Sequence, residues 1–220
     1  MRLMEFVTDE DVLRHPTNWV EIPKERALST CWFELVVALY TVGHHKHVEL
    51  FSTHGGMPTS TAWIANGFFA GDHDRTVKFY IRKKLNKQAF ADYMDAHAGK
   101  ESQHACAHYV QLGLQAGGFD TSDRPANTKY SHDWARLYGP FLRKLGADSI
   151  SSDGYSHKKG QVGKEQIGDI VVIQPVEGHN EAGHIAMWDG SQWVSDFFQQ
   201  HLSPYHGVDE TGLDFVIYRF

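Results

Sequence analysis

Cys106 is the residue whose type and surroundings most directly suggest chemistry. It follows the polar stretch Ser102–His104 and precedes an apolar segment with helical periodicity, so we expect it in the first turns of a helix. There the unpaired backbone N–H groups and the helix dipole favour a thiolate. A thiolate attacks a carbonyl carbon. A small apolar residue of the core is the other interpretation of this cysteine.

His184 is the second candidate, because it begins an otherwise apolar strand that runs to Trp188. A histidine can take the proton of a thiol and return it to a leaving group. The nucleophile precedes the base in the chain, as in hydrolases that pair a cysteine with a histidine. A partly exposed polar residue at a strand end is the other interpretation of His184.

Asp196 is the candidate acceptor that would orient the histidine ring. A hairpin loop of three residues, Asp189–Ser191, would place Asp196 directly opposite His184, and we expect this register. Asp189-Gly190 by itself favours a two-residue loop, which would place Ser195 there instead. Asp196 could also be a strand residue that faces solvent.

The elements that must position these residues are clearest after residue 100. Ser102 can cap a helix that runs to about Ala116 and stops at Gly117-Gly118. A second helical stretch, Asp133–Leu145, is expected to kink or divide at Gly139-Pro140. Residues 149–163 are expected to form a loop. The strands predicted after it are 169–174, 184–188, 192–197 and 215–220. Helices followed by a run of antiparallel strands indicate an α+β domain.

The first hundred residues are harder to interpret. Leu28–Tyr40 could be a helix, Thr76–Ile81 alternates like a strand, and Asn86–Ala98 has the spacing of a helix. We therefore predict an N-terminal extension of unknown role at 1–100, packed on a catalytic domain at 101–220. Cys31 is interpreted as a core residue of the extension.

An ordered set of short motifs resembles a known family. The motifs are Cys106-Ala107-x-Tyr109-Val110, Ala116-Gly117-Gly118, Tyr138-Gly139-Pro140-Phe141-Leu142, Gly168-Asp169-Ile170-Val171-Val172, Gly183-His184-Ile185-Ala186-Met187, Trp193-Val194-Ser195-Asp196-Phe197 and Ile217-Tyr218-Arg219. Together they are similar to the CHAP and NlpC-type cysteine peptidases, which cut the peptide part of bacterial cell walls. The similarity covers about residues 102–220, and is closest to phage lysins and type VI secretion amidase effectors.

The resemblance implies a papain-like α+β fold, in which the nucleophile-bearing helix packs on an antiparallel sheet. It implies Cys106 as nucleophile and His184 as base, with Asp196 as third member, a position at which this family varies. Backbone N–H groups near Cys106 would stabilise the oxyanion. Gln103 and Tyr109 are both candidates for a side-chain donor, and the sequence does not choose between them.

Composition excludes several other classes of function. The chain has 220 residues and a net charge of −6, so it lacks the basic face that nucleic-acid binding needs. Its apolar share of 41% predicts a folded core rather than disorder. No apolar run is long enough to predict membrane insertion, and the start does not look like a signal peptide. Two cysteines cannot form a disulfide framework, which favours synthesis in a reducing cytosol.

Fifteen histidines are more than usual, but the cluster His44-His45-Lys46-His47 lacks accompanying ligands at metal spacing. We therefore expect no metal and no cofactor. The expected substrate is the stem peptide of peptidoglycan, reached in the periplasm of a target bacterium after export or injection. A cognate immunity protein and a component of a secretion apparatus are the expected protein partners. Two alternatives stay open: a protease, deamidase or acyltransferase that acts on proteins, and an inactive papain-like binding module.

Overall fold

The structure is a computed structural model. It describes residues 18–23, 26, 36–42, 45–51, 53–54, 57–58, 75–125, 134–155 and 163–220. The chain divides into two compact units, Met1–Lys83 and Lys84–Phe220, which are taken in turn. In the described part of the chain, no helix is both long and apolar enough to cross a membrane.

The first unit is built on antiparallel strands. Its four-stranded sheet has the order β1-β6-β2-β3, and a separate pair joins β4 to β5. The bounds are β1 Trp19–Ile22, β2 Val36–Val42, β3 His45–Phe51, β4 Thr53–His54, β5 Met57–Pro58 and β6 Arg75–Arg82. The predicted strand at Thr76–Ile81 lies within β6.

The helix predicted over Leu28–Tyr40 is wrong for its last five residues, which belong to β2. Residues 28–35 and Cys31 lie outside the described residues. The β2 sequence VVALYTV is rich in β-branched and aromatic side chains, which suit a pleated strand better than a helix. Both neighbouring strands pair with β2 along all seven of its residues. Pairing with distant segments therefore favours a strand over a helix here.

Three α-helices are described in the second unit. They are α1 Lys87–His97, α2 Cys106–Ala116 and α3 Tyr138–Leu145, the last preceded by a 3-10 turn at Ala135–Leu137. The Asn86 side chain caps α1 by accepting from the Ala89 amide. The stretch predicted at 133–145 thus divides just before Gly139-Pro140, with Pro140 in the first turn of α3 where it is tolerated.

The second unit also contains a five-stranded antiparallel sheet, in the order β10-β9-β8-β11-β7. Its strands are β7 Asp148–Ile150, β8 Ile170–Ile173, β9 His184–Trp188, β10 Trp193–Val194 and β11 Phe215–Arg219. β7 overlaps the stretch predicted as a loop at 149–163, since Ser149 and Ile150 pair with β11. The strand predicted at 192–197 is much shorter, because the chain leaves the sheet after Val194.

Alternation along the strands gives the sheet two buried faces. Ile185 and Met187 point to one face and join the cluster of the helical residues Val110, Leu114 and Leu142. Ala186 and Trp188 point to the other face and join the cluster around Trp193. α2 packs directly against β9, and the Ile185 backbone N–H hydrogen-bonds to the Cys106 sulfur, so the first residue of the helix lies close to the first residues of the strand.

The helix Lys87–His97, which the sequence assigned to the N-terminal extension, packs on α2 within the second unit. Gly113 is the point of contact, since a Cβ there would lie 2.6 Å from the Phe90 ring. The second unit therefore begins at Lys84. The role of the preceding residues stays a prediction.

Candidate active site

Cys106 is the first residue of α2, and Ala105 is the N-cap without a side-chain hydrogen bond. The helix thus begins three residues later than a Ser102 cap would require. The preceding segment is tightly bent, because His104 has a φ of +59°, which is uncommon for a residue other than glycine. The His104 amide donates to the Ser102 hydroxyl at 3.2 Å. This bend leaves the thiol-bearing residue at the very start of the helix.

The Asp196 carboxylate stabilises this bend through hydrogen bonds. It is fully buried and accepts from the backbone amides of Gln103 at 2.5 Å and Ala105 at 3.2 Å. It also accepts from the hydroxyls of Ser102 and Ser195, both at 3.1 Å. Three of these four hydrogen bonds of the Asp196 carboxylate therefore go to the segment that positions Cys106.

The predicted three-residue hairpin is wrong. Trp188 pairs with Trp193 and Met187 with Val194, and the Asp189 amide donates to the Gln192 carbonyl at 3.1 Å. The tip of the turn is thus Gly190-Ser191, with Gly190 at a φ of +113°, where glycine is favoured. The Asp189 carboxylate accepts from the backbone amides after it, which shifts the turn by one position.

This register also ends early. β10 pairs with β9 only through Val194, and the chain then reverses so that Val194 bridges Phe198. Phe197, which follows the reversal, lies near His184, and the two ring centroids are 6.2 Å apart. The expectation that Asp196 lies directly opposite His184 is corrected accordingly.

Gln199 is the side chain that contacts the His184 ring. The Gln199 amide lies 2.6 Å from Nε2 of His184, and both side chains are buried, with 2% and 6% of their surface exposed. Gln199 was absent from the residues that the sequence indicated. It lies outside the predicted strands, and no local spacing relates it to His184.

Cys106 and His184 line one cavity of about 710 Å³. One wall comes from the start of α2 and the segment before it, and another comes from the segment that leads into β9. The cavity is lined by Ser102, His104, Ala105, Cys106, Ala107, His108, Arg124, Trp134, Asn180, Glu181, Ala182, Gly183 and His184. A thiol and an imidazole thus share a space large enough for part of a peptide.

Burial keeps both groups uncharged. Burial, together with a smaller effect of the negative charge of Asp196, raises the pKa of the Cys106 thiol to about 12. Backbone N–H groups of Ile185, Ala107 and Cys106 itself oppose this by favouring the thiolate. Burial lowers the pKa of His184 to about 4, against the opposite effect of Asp196. The pair is therefore a neutral thiol beside a neutral imidazole at pH 7.

Tyr205 brings a further polar group close to the thiol. Its hydroxyl is buried and has no hydrogen-bond partner. Burial and then the charge of a Cys106 thiolate raise the pKa of Tyr205 to about 12. Sequence analysis did not indicate this residue, since nothing in the local pattern distinguishes it from a core tyrosine.

The two candidate side-chain oxyanion donors bind each other. The Tyr109 hydroxyl donates to the Gln103 side-chain oxygen at 3.2 Å. Within the described part of the chain, the residues that line the cavity include neither of them. Their role as donors stays a prediction.

Metal-binding groups are not brought together in the region that the structure describes: no cluster of three or more His, Cys, Asp or Glu side chains is found there. His44, part of the histidine-rich stretch, lies outside the described residues. His45 and His47 lie in β3.

The second unit is thus an α+β domain with a thiol at a helix start and an imidazole at a strand start in one cavity. No protein-family model matches the chain, and no curated protein matches it either. Two solved structures resemble it, both of the type VI effector–immunity complex Tae3–Tai3 from Ralstonia pickettii. The native complex is 28% identical with a TM-score of 0.43, covering 61% of this chain and 98% of that one. The selenomethionine complex is 30% identical with a TM-score of 0.43, covering 59% and 98%.

Proposed function

We propose that this protein is a cysteine hydrolase that cleaves peptide amide bonds of bacterial peptidoglycan. The observation that carries the proposal is the shared cavity: Cys106 begins α2, His184 begins β9, and both line the same space. The ordered motifs around these two residues, which resemble wall-cutting cysteine peptidases, give the substrate class.

The reaction would proceed in two halves through a covalent intermediate. The Cys106 sulfur attacks the amide carbon while His184 takes the thiol proton, and the carbonyl oxygen becomes an oxyanion. The C–N bond then breaks as the imidazolium returns the proton to the leaving amine. Water, deprotonated by His184, attacks the thioester and releases the carboxylic acid and the thiol.

The neutral resting pair fits this order of events. Because the thiol has a raised pKa and the imidazole a lowered pKa, the proton moves only as the sulfur attacks. The free imidazole is already in its basic form above about pH 4. The backbone N–H groups of Cys106 and Ala107 lie against the sulfur and could donate to an oxyanion formed beside it.

The biological setting follows from the same proposal. An enzyme of this kind would act as an antibacterial effector or a lysin, injected or released into the periplasm of the target cell. A producing cell would need a cognate immunity protein to protect its own wall, and delivery would need contact with a component of the secretion apparatus. The stem peptide would occupy the cavity.

Mass spectrometry of purified sacculi tests the proposal. We expect wild type to release muropeptide fragments with a new amine and a new carboxylate, and Cys106→Ala and His184→Ala to release none. His201→Ala is the matched control, since His201 is exposed and does not line the cavity. The double variant should be little worse than either single variant if the two residues act as a unit.

The proposal is overturned if wild type leaves sacculi intact, or if Cys106→Ala digests them as fast as wild type. Cleavage of a protein instead of sacculi would favour a protease, deamidase or acyltransferase. Binding without any thiol-dependent turnover would favour a papain-like binding module.

A further inference from the structure

The contact between Gln199 and His184 is made by two side chains that solvent hardly reaches. The nitrogen Nε2 of His184 lies 2.6 Å from the Gln199 amide, a short distance for a hydrogen bond of this type. Both residues are more than nine-tenths buried. A buried polar contact of this kind is rarely incidental, because a buried polar group without a partner is costly.

The fold makes this contact by reversing the chain directly after β10. The Ser195 backbone amide donates to the Phe197 carbonyl at 3.0 Å, and the Gln199 backbone amide donates to the Trp193 carbonyl at 3.0 Å. Val194 and Phe198 form an isolated antiparallel bridge across this reversal. Gln199 is thereby fixed through its backbone, so its side chain meets His184 from a rigid position.

The position of Gln199 decides which ring nitrogen is available to act as a base. Nε2 of His184 is occupied, so Nδ1 is the nitrogen that remains to take a proton from Cys106. A neutral imidazole carries one hydrogen. Nδ1 can accept a proton only if that hydrogen is on Nε2, and Nε2–H then needs an acceptor.

The Gln199 side chain can supply that acceptor. Its Oε1 is buried without a hydrogen-bond partner when the amide nitrogen faces the ring. Oxygen and nitrogen of an amide exchange places on a half-turn, and their assignment rests on the hydrogen-bond network. Turned in this way, Oε1 accepts from Nε2–H of His184.

We propose that Gln199 is the positioning residue of the proposed active site: its side-chain oxygen accepts from Nε2–H of His184 and thereby makes Nδ1 the catalytic base. The inference rests on the proposed function, because it assigns a role in that same hydrolysis. It also transfers to another residue the one role that was predicted for Asp196, the orientation of the histidine ring. Asp196 holds the segment before Cys106, and Gln199 holds the imidazole.

A neutral amide differs from a carboxylate in one measurable respect. An aspartate or glutamate beside the ring would stabilise the imidazolium as well as orient it. Gln199 orients the ring without adding charge, which leaves His184 unprotonated over a wide pH range. Replacing the amide by a carboxylate should therefore keep the orientation and raise the pKa of His184.

The tautomer can be read directly on the wild-type protein by nitrogen-15 NMR with labelled histidine. We expect the His184 signals of the Nε2–H tautomer at pH 7, with His184→Gln used to assign them. Observation of the Nδ1–H tautomer would overturn the proposal, because Gln199 would then be donating to the ring. This measurement needs neither a Gln199 variant nor a substrate.

Variants of Gln199 supply the second readout, the rate of product release from purified sacculi. Gln199→Met keeps the length and removes the acceptor, so we expect a loss of about 10²-fold, the lower range for a misdirected general base. Gln199→Glu restores an acceptor, so it should recover most of the rate and move the acid limb of the pH–rate profile to higher pH. Gln192→Met is the matched control, since Gln192 is also buried with an unpartnered Oε1 but lies in the hairpin, directly after the Gly190-Ser191 tip.

The outcomes separate failure of this inference from failure of the proposed function. If Gln199→Met hydrolyses sacculi as fast as wild type while Cys106→Ala is inactive, the role of Gln199 is wrong and the hydrolase stands. If Cys106→Ala remains active, the hydrolase proposal fails, whatever tautomer His184 shows. An equal loss in Gln199→Met and Gln192→Met would also overturn the inference, because it would show a general effect on packing.

Discussion

Two aspartates of the second unit are fully buried, and their partners differ in kind. Asp169 and Asp196 are both 0% exposed. Asp169 accepts from Nε and a terminal nitrogen of Arg219, at 2.8 and 2.6 Å, so its charge is balanced. Asp196 accepts only from neutral amides and hydroxyls among its described hydrogen bonds. The first carboxylate therefore stabilises the fold, whereas the charge of the second acts on its neighbours.

The positions of the two aspartates agree with this difference. Asp169 lies directly before β8, and its backbone carbonyl accepts a hydrogen bond from the Trp188 backbone amide at 2.8 Å. His184 pairs with Ile173 at the opposite end of the strand, roughly 13 Å away at the usual rise per residue. Asp196 lies near both Cys106 and His184, since its charge raises the pKa of each. The comparison predicts separate effects on stability and on chemistry.

The largest expected effect is the loss of stability in Asp169→Asn. The change leaves Arg219 without its counter-charge, and the Tyr155 hydroxyl and Gln166 amide lose a charged acceptor. Breaking one side of a buried pair costs about 3–5 kcal/mol, and we expect the lower end because Arg219 is a quarter exposed. Urea unfolding at pH 7 measures it. Under native conditions, we expect iodoacetamide to alkylate Cys106 in this variant at the same rate as in wild type.

An effect of about the same size should appear in the pH dependence of stability through His184. Its folded pKa of about 4 lies below the ordinary value of 6.5, so the unfolded chain binds the proton first. The stabilising contribution is present above pH 6.5 and is lost as pH falls towards 4. The shift corresponds to about 3 kcal/mol.

His184→Gln tests this expectation by urea unfolding at pH 7 and pH 4.5. Wild type should lose more stability than the variant between these values, because only wild type contains the buried histidine. His201→Gln, which alters an exposed histidine, should follow wild type. Parallel curves for wild type and His184→Gln would show that His184 is not held neutral in the folded protein.

Asp196→Asn should change reactivity more than stability. The asparagine can turn its oxygen towards the Gln103 and Ala105 amides and donate its NH₂ to the Ser195 hydroxyl, so most hydrogen bonds persist. We expect the free energy of unfolding to fall by about 1–2 kcal/mol, because an uncharged acceptor makes weaker hydrogen bonds than a carboxylate. Removal of the negative charge lowers the pKa of the Cys106 thiol, so alkylation by iodoacetamide at pH 8 should be faster than in wild type. Slower alkylation would contradict the electrostatic role of Asp196.

The sequence predicted the parts of the site that local patterns determine. A helix lies within the predicted stretch Asn86–Ala98, Cys106 lies in the first turn of a helix, and His184 begins a strand, each because neighbouring residues have the spacing and end signals of that element. The residues that hold these groups were set by pairing between distant segments. Asp196 meets Gln103 across 93 positions, and no local pattern encodes that distance.

The hairpin shows how a small local difference redirects the site. The turn differs by one position from the expected one, and the chain leaves the strand after Val194. The expected register therefore does not describe the position of Asp196, and Phe197 lies near the His184 ring. The Asp189 side chain decides this shift by accepting from the amides of Ser191 and Gln192. Gln199 then reaches His184 through a chain reversal without glycine or proline at residues 195–199, so it carried no turn signal.

The smallest expected effect concerns a pair of carboxylates at the surface. Asp95 of α1 hydrogen-bonds to Asp189 of the hairpin, which requires a shared proton. Partial burial, then the charge and hydrogen bond of Asp189, raise the pKa of Asp95 to about 6. The raised pKa means that this pair stabilises the fold fully below pH 3.8, and that the contribution is lost as pH rises through about 6.

Asp95→Asn should remove that loss, because an amide keeps a hydrogen bond to Asp189 without a second negative charge. Above pH 7 the variant should melt about 1–3 °C higher than wild type, the effect of an exposed pair in a domain of this size. At pH 4.5 the two proteins should have the same melting temperature, and differential scanning calorimetry at both pH values measures the difference.

Asp148→Asn is the control, since Asp148 is exposed on β7 at the opposite edge of the sheet. A gain for Asp148→Asn equal to that of Asp95→Asn would assign the effect to overall charge. A gain for Asp95→Asn alone would show that even an exposed carboxylate affects the fold when its partner is another carboxylate.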